Sequence, residues 1–212
     1  MPNHCWNHVT IEGNTKQIDK IYKKLRKYKD CNYFTAFGDF VLDKGKIDDD
    51  YEAIKDRYGD NFDTIYVYGT KWWDINDCGG IEKLSHVKDS VITVSGDSAW
   101  SPPVKLIEEI CKYYKVSATM EYEEPGCDFG GETFIDETGI VKDNCYEYGE
   151  WKYRQDHVDY IYSELRYNYE GRIDELDDDI KEGRLSYMDK EHIAELIDLV
   201  REDAEYDGDN TP

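Results

Sequence analysis

The chain has 212 residues, of which 39% are hydrophobic and 14% aromatic, which is enough for one fair-sized core and a small appendage. Lys and Arg total 26 against 48 Asp and Glu, so the formal net charge is −22. Nucleic-acid phosphates and anionic lipid repel such a chain, so we expect no direct nucleic-acid binding unless a local basic patch overrides the total. No apolar run is long enough to span a membrane, and the start MPNHCWNH does not resemble a signal peptide. We therefore expect a cytoplasmic protein.

The six cysteines form no CxxC pair, so the sequence shows neither a zinc knuckle nor a thioredoxin-type redox motif. We expect reduced, packed thiols. His4, Cys5 and His8 stand close together, but on a strand Cys5 points away from the two histidines, which is a poor arrangement for one metal ion. The sequence therefore predicts no metal and no cofactor.

The first third of the chain predicts two strands and two helices. HCWNHVTIEG alternates apolar and polar residues as a strand does, and Asn14 is a plausible N-cap for a helix over Thr15–Lys29. NYFTAFGDFVL is rich in aromatic and β-branched residues and predicts a second strand with a bend at Gly38. The polar stretch that follows predicts a short helix over Tyr51–Tyr58.

The middle of the chain predicts a β-like segment TIYVYG, a strand SVITVSG and a helix over Pro102–Lys115. Ser101 is the expected N-cap of that helix, with two prolines in its first positions. VSATMEYEE alternates cleanly and predicts a half-exposed strand. ETFID and GIVKDNCYEYG predict a hairpin, reversed at Glu137–Gly139, that extends the same sheet.

The composition changes after Trp151 to long polar helical stretches. Residues 146–212 contain 21 acidic and 8 basic side chains, whereas residues 1–60 contain 11 of each. The negative charge is therefore concentrated late in the chain. Apolar residues at helical spacing between Val158 and Leu176 are sufficient to dock a helix. We predict a domain over 1–150 and an acidic helical appendage over 151–212, with a frayed C-terminus.

The predicted order of strands and helices is that of a split βαβ, or ferredoxin-like, sheet. Four motifs in this order, PNHCWNHVTIEG, YGTKWWD, SAWSPP and YEEPGCDFGG, resemble the PNWCxNxLxVxG, WGTKWD, TAWSPP and YxExGxxFxG signatures of the YubB-like ferredoxin-like family. Phages, plasmids and other mobile elements carry that family. The resemblance covers about residues 1–148 and implies a mobile-element origin and an α+β fold. This fold has an antiparallel-rich sheet with its helices on one face.

The loops that carry these motifs flank the strand SVITVSG and follow the strand VSATMEYEE, so their side chains are expected to meet in one aromatic pocket. The candidate pocket residues are Lys71, Trp72, Trp73, Asp74, Trp100, Ser101, Glu123, Glu124 and Phe129. The alternative is an aromatic minicore, in which the tryptophans pack over a sheet end and Lys71 pairs with a carboxylate.

Three functions remain open from the sequence. The first is a mobile-element accessory protein, phage-borne in our expectation, that binds and inhibits a host protein such as a defence nuclease or its nucleic-acid-binding component through acidic surface. The candidate acidic surface consists of Glu175, Asp177, Asp178, Asp179, Glu182, Glu195 and Asp198. The second is binding of a small molecule or nucleotide at the pocket, although no Gly-rich phosphate loop is present. The third is an enzyme at that pocket, which no catalytic signature supports.

Overall fold

The computed structural model describes residues 3–27, 33–44, 51–59, 67–75, 80–85, 89–155, 157–169 and 172–208. The chain divides into two compact units, Met1–Cys145, here called the sheet unit, and Tyr146–Pro212, here called the helical unit. The domain boundaries predicted from the sequence, 1–150 and 151–212, stay a prediction. Half of the predicted β-like segment TIYVYG, residues 64–66, lies outside the described residues, and residues 67–69 form a turn and a bend.

The sheet unit contains seven strands and four helices within its described residues. In chain order these are β1 (His4–Asn14), α1 (Thr15–Leu25), α2 (Phe34–Val41), α3 (Tyr51–Tyr58), β2 (Trp73–Asp74), β3 (Gly80–Ser85), β4 (Asp89–Ala99), α4 (Val104–Tyr114), β5 (Ser117–Glu124), β6 (Phe129–Asp136) and β7 (Gly139–Tyr146). A short 3-10 turn, Pro125–Cys127, connects β5 to β6.

The strands form one sheet in the order β2-β4-β1-β5-β6-β7, and β3 also pairs with β4. β1 lies at the centre and is antiparallel to both β4 and β5, so Val9 is opposite Val94 on one side and Met120 on the other. With α1 between β1 and the β3–β4 hairpin, and α4 between β4 and β5, this is the split βαβ arrangement. The predicted ferredoxin-like α+β fold is confirmed, and the β6–β7 hairpin extends the sheet as expected.

Alternation along β1 separates a buried inner face from a more exposed outer face. Cys5, Asn7, Val9 and Ile11 are fully buried, whereas the residues between them are partly exposed. Side chains from α1, α2 and α4 join the same inner-face core. The prediction that the helices pack on one face of the sheet is therefore confirmed.

The prediction of a second strand at NYFTAFGDFVL is wrong, because Phe34–Val41 form α2. Phe34, Phe37 and Val41 recur at helical spacing and are buried in the main core. The aromatic and β-branched composition suggested a strand, but the periodicity of the buried residues is that of a helix. The strand that completes the split βαβ unit is β3, whose sequence GIEKLS gave no clear strand signal.

The two predicted N-caps have different outcomes. Asn14 caps α1 by accepting a hydrogen bond from the Gln17 backbone N–H at 3.1 Å, as expected. Ser101 does not cap α4, since its hydroxyl donates to the Gly69 carbonyl at 2.8 Å. α4 begins two residues later than predicted, after Pro103, which has no side chain able to cap.

A buried carboxylate joins α2 to α3 and to the loop before β2. Asp39 accepts hydrogen bonds from Tyr68 at 2.7 Å and Tyr58 at 2.6 Å, and its other oxygen pairs with Arg57. Gly38 lets the Tyr68 ring lie directly on α2, where an added Cβ would overlap the ring. The two insertion helices are thereby fixed to the residue that precedes the GTKWWD motif.

The helical unit contains four helices within its described residues: α5 (Tyr148–Arg154), α6 (Val158–Asn168), α7 (Ile173–Lys181) and α8 (Lys190–Gly208). Ile161, Leu176, Leu196 and Val200 lie in a separate small core, packed by partly buried tyrosines and isoleucines. Each helix therefore buries one apolar stripe and leaves its polar side to solvent. None of the helices in the described parts of the chain is long and apolar enough to cross a membrane.

Candidate functional site

The sheet divides the predicted pocket residues between its two faces. β2 pairs with β4 so that Trp73 is opposite Ser98 and Asp74 is opposite Asp97. Neighbouring strand residues point to opposite faces, so Trp73 faces the inner core and Asp74 the outer face. Glu123 and Glu124 separate in the same way. The pocket was predicted as one patch, but the structure places its members on two sides of the sheet.

The inner side holds Trp73, Glu124 and Phe129. Trp73 is fully buried and Glu124 is 3% exposed, while Phe129 packs against the core edge. One Glu124 oxygen accepts from the Gly126 backbone N–H at 3.2 Å and caps the 3-10 turn. Trp73 therefore belongs to the main core.

A polar network lies beside Trp73, and sequence analysis did not single out its central residue, Asn7. The Asn7 amide donates to the Cys5 carbonyl at 2.7 Å and to the Ser98 hydroxyl at 2.8 Å. The available signal was an asparagine at an inward position between Cys5 and Val9. Asn7 Oδ1, Trp73 Nε1 and Glu124 Oε2 are buried and have no hydrogen-bond partner among the described residues. Buried polar atoms of this kind are normally satisfied by ordered water or by a ligand.

The outer side carries a row of acidic and aromatic residues across four strands. Asp74 is opposite Asp97, Asp97 is opposite Trp6, and Trp6 is opposite Glu123. The Trp6 ring stacks with that of His8, with centroids 6.1 Å apart and planes inclined by 13°.

The next positions toward the sheet end carry His4 and Trp72. His4 Nδ1 lies 3.2 Å from Asp97 Oδ2, and the His4 ring meets the Trp72 ring edge-on at 5.2 Å. Trp72 is thus part of an outer aromatic group, whereas Trp73 lies in the core. Trp6, His4 and Asp97 were not among the predicted site residues.

Hydrogen bonds join the loops GTKWWD and SAWSPP. Thr70 Oγ1 donates to the Ala99 carbonyl at 2.7 Å, and the Ala99 N–H donates to the Trp72 carbonyl at 3.2 Å. Gly69 has φ +94°, and a Cβ there would press on the backbone at the start of α4. Lys71 is exposed on this loop.

Trp100 is exposed to 43% and has φ +66°, a left-handed conformation that L residues rarely adopt. Its backbone N–H donates to the Asn3 carbonyl at 3.0 Å, which holds the strained turn at the end of β4. Strained, exposed residues of this kind concentrate at functional sites. Trp100 is therefore a surface residue of the loop and contributes little to the core.

Two thiols near this sheet end, those of Cys5 and Cys127, have a raised pKa. Burial raises the pKa of the Cys5 thiol to about 12, and the nearby Glu124 carboxylate adds to the rise. A hydrogen bond with Glu124 also raises the pKa of Cys127. Among the described residues, no three His, Cys, Asp or Glu side chains come together as metal ligands would.

The predicted acidic residues of the helical unit all reach its surface. Glu175, Asp178, Glu182, Glu195 and Asp198 are exposed, and Asp177 and Asp179 are half-buried. Several pair locally. Asp178 binds Lys181 at 3.0 Å, and Arg184 pairs with both Asp179 and Glu182. Their role in binding stays a prediction.

Residues 67–163, just under half of the chain, match the family model described as "Ferredoxin-like domain in Api92-like protein". Among solved structures, the chain is similar to the crystal structure of a protein api92 from Yersinia pseudotuberculosis. The two are 12% identical with a TM-score of 0.38, over 69% of this chain and 98% of that one, and a likeness this weak supports no further argument. No curated protein matches the chain. The family match supports the ferredoxin-like fold, and its description names no activity.

Proposed function

We propose that the protein is a mobile-element accessory protein, carried by a phage, that binds and blocks a basic protein of its host. A defence nuclease or its nucleic-acid-binding component has the required cationic groove, which a carboxylate-lined surface can occupy in place of nucleic acid. The resemblance of the four motifs to a family of mobile elements supports the origin. The charge of −22 supports the mode of action.

The observation that carries this proposal is the surface charge of the helical unit. Residues 146–212 have a net charge of −13, from 21 acidic and 8 basic side chains, however their ion pairs are arranged. The Asp178–Lys181 and Glu182–Arg184 ion pairs join exposed side chains, and such pairs contribute little to stability. A basic group of a partner can therefore replace Lys181 or Arg184 beside these carboxylates at a small cost in free energy. Asp177 and Asp198 form no ion pair within the described residues.

Charge reversal on these helices tests the proposal. A variant with Asp177, Asp178 and Asp198 changed to Lys avoids Asp179, which accepts a hydrogen bond from Tyr169 as well as pairing with Arg184. A protein captured from host lysate by the wild type is purified, and its association rate is measured with both forms over a range of salt concentrations. We expect the rate to fall steeply with salt, because steering is screened over about 8 Å at physiological ionic strength.

The control variant reverses three exposed lysines of α1, Lys16, Lys20 and Lys23, to Glu, and it makes the protein more acidic without touching the helical unit. We expect the control to associate at least as fast as the wild type and the helical-unit variant to associate several-fold more slowly. Equal association of the helical-unit variant and the wild type would remove the helical unit from the mechanism.

Binding of a small molecule is a second candidate, favoured by the three buried atoms without partners. Trp73 Nε1 offers a donor, and Asn7 Oδ1 and Glu124 Oε2 offer acceptors. A ligand that uses them would raise the thermal unfolding temperature of the wild type. The same ligand should stabilise a Trp73→Phe variant less, because the indole donor is gone. A metabolite that stabilises the wild type and the Trp73→Phe variant equally would exclude this site.

A further inference from the structure

The outer face of the sheet differs from the inner face in having no cover from the described helices of the sheet unit. The side chains of α1, α2 and α4 enter the inner-face core, and α3 packs on α2 through Ile54 and Ala36. Side chains on the outer face of β1 remain partly exposed along the strand. These partly exposed side chains can therefore contact a partner.

Acidic residues of neighbouring strands come together on this face. Asp74 and Asp97 are directly opposite each other, and so are Glu121 and Glu132. Two of these carboxylates have a partner nearby, since Asp97 lies 3.2 Å from His4 and Glu132 pairs with Lys142. Trp6 lies between Asp97 and Glu123 and is partly exposed. A partly exposed indole between two carboxylates offers an anchor for a cationic side chain.

The charge on this face is mostly negative. Leaving the histidines aside, every charged side chain that the strand pairings place on it, in the part of the chain described, is Asp or Glu. Lys142 of β7 approaches from the sheet edge and pairs with Glu132. The negative electrostatic field of this face repels phosphate and attracts cationic groups. The face therefore disfavours nucleic acid and favours a basic protein segment.

We propose that the outer face docks a basic segment of the partner protein, with an arginine or lysine side chain lying on the Trp6 indole between Asp97 and Glu123. Neighbouring strands lie about 4.8 Å apart, so the backbone positions of Asp97 and Glu123 are about 10 Å apart, one on either side of Trp6. A guanidinium on the ring then has a cation–π contact below and a carboxylate on either side. This inference rests on the proposed function and names the surface that the basic partner contacts.

The His4–Trp72 pair extends this surface toward the sheet end. Tryptophan is enriched among the residues that dominate binding energy at protein interfaces. The sequence motif GTKWWD therefore contributes Trp72 to the docking face.

The test uses a short arginine-rich peptide as the probe and a glutamate-rich peptide of equal length as its control. The full-length protein is titrated at physiological salt, and the indole N–H resonance of Trp6, assigned with a Trp6→Phe variant, is followed by NMR. We expect this resonance to shift on addition of the arginine-rich peptide and to remain in place with the control. The resonance of Trp151, in the helical unit, should move much less.

Two charge-matched variants locate the binding. Asp97→Asn with Glu123→Gln removes two charges beside Trp6, and Asp177→Asn with Asp198→Asn removes two from the helical unit. We expect about a tenfold loss of peptide affinity in the first variant and less than about a twofold loss in the second.

Equal losses in the two variants would overturn the docking face while leaving the proposed function standing, since attraction would then be spread over the whole surface. A Trp6 resonance that does not move while the peptide binds, or no binding by the wild type, would also overturn it. The salt dependence measured with the captured host protein separately decides the proposed function.

Discussion

Replacing Asp39 by Asn should destabilise the sheet unit, because this carboxylate is the buried acceptor that joins α2, α3 and the loop before β2. Tyr58 and Tyr68 both donate to one of its oxygens, and Arg57 pairs with the other. Asn keeps one carbonyl oxygen but loses the charge. Its amide group also places donors against either the tyrosine hydroxyls or the guanidinium.

The expected cost follows from these contacts. Hydrogen bonds to a charged group contribute about 1.5–3 kcal/mol each, and the half-exposed Arg57 pair adds less than about 1 kcal/mol. Since Asn still accepts one bond, the net loss should be about 2–4 kcal/mol in the free energy of unfolding. For a unit of this size that corresponds to a fall of about 4–16 °C in Tm.

Urea denaturation followed by circular dichroism measures this loss. Asp43→Asn is a matched control. Asp43 lies just after the same helix, and its exposed carboxylate pairs with Lys24. The control should lose less than about 1 kcal/mol. Equal denaturation midpoints for Asp39→Asn and Asp43→Asn would refute the view that the buried carboxylate fixes the insertion helices.

Three further predictions follow from buried groups. Gly38→Ala, which would stabilise an ordinary helix, should instead cost about 1–3 kcal/mol in urea denaturation, because the new Cβ would lie 2.8 Å from Tyr68 Cζ and closer to two other ring carbons; a stabilised variant would contradict the packing. Burial raises the pKa of Tyr68 and Tyr114. The stability that these two tyrosines contribute should therefore be complete below about pH 10 and be lost as the pH rises further. A denaturation midpoint that does not change as the pH rises above about 10 would contradict this prediction. Trp73→Ala should cost about 3–5 kcal/mol and Trp100→Ala less than half of that, and equal losses would show that the exposed indole also belongs to the core.

Sequence patterns predicted the strands and helices whose buried residues keep a single clean period. The alternation of SVITVSG and VSATMEYEE led to β4 and β5, and the apolar stripe after Asn14 led to α1. The same reasoning failed at α2, where nearly every residue is buried and composition outweighed the helical spacing of Phe34, Phe37 and Val41. It missed β3, an edge strand that has few apolar residues.

The site was predicted less well than the fold, for a geometric reason. Proximity of the motif loops could be inferred from their positions around β4, and the loops do meet at Thr70 and Ala99. The face that each side chain occupies depends on strand register, which long-range pairing determines. Register places Trp72 and Trp73 on different sides of the sheet. Strand register also brings Trp6, which belongs to the first motif, PNHCWNHVTIEG, beside Asp97.

The central position of β1 has a consequence for synthesis on the ribosome. β1 is made first, yet its partners β4 and β5 follow much later, with Val94 about 85 residues behind Val9. At the usual speed of translation this interval lasts about 4–17 s. During that time the strand has both edges unpaired and its apolar side chains exposed, which favours aggregation or capture by chaperones. Nascent chains arrested before β4 should therefore be insoluble, whereas chains that extend through β5 should not.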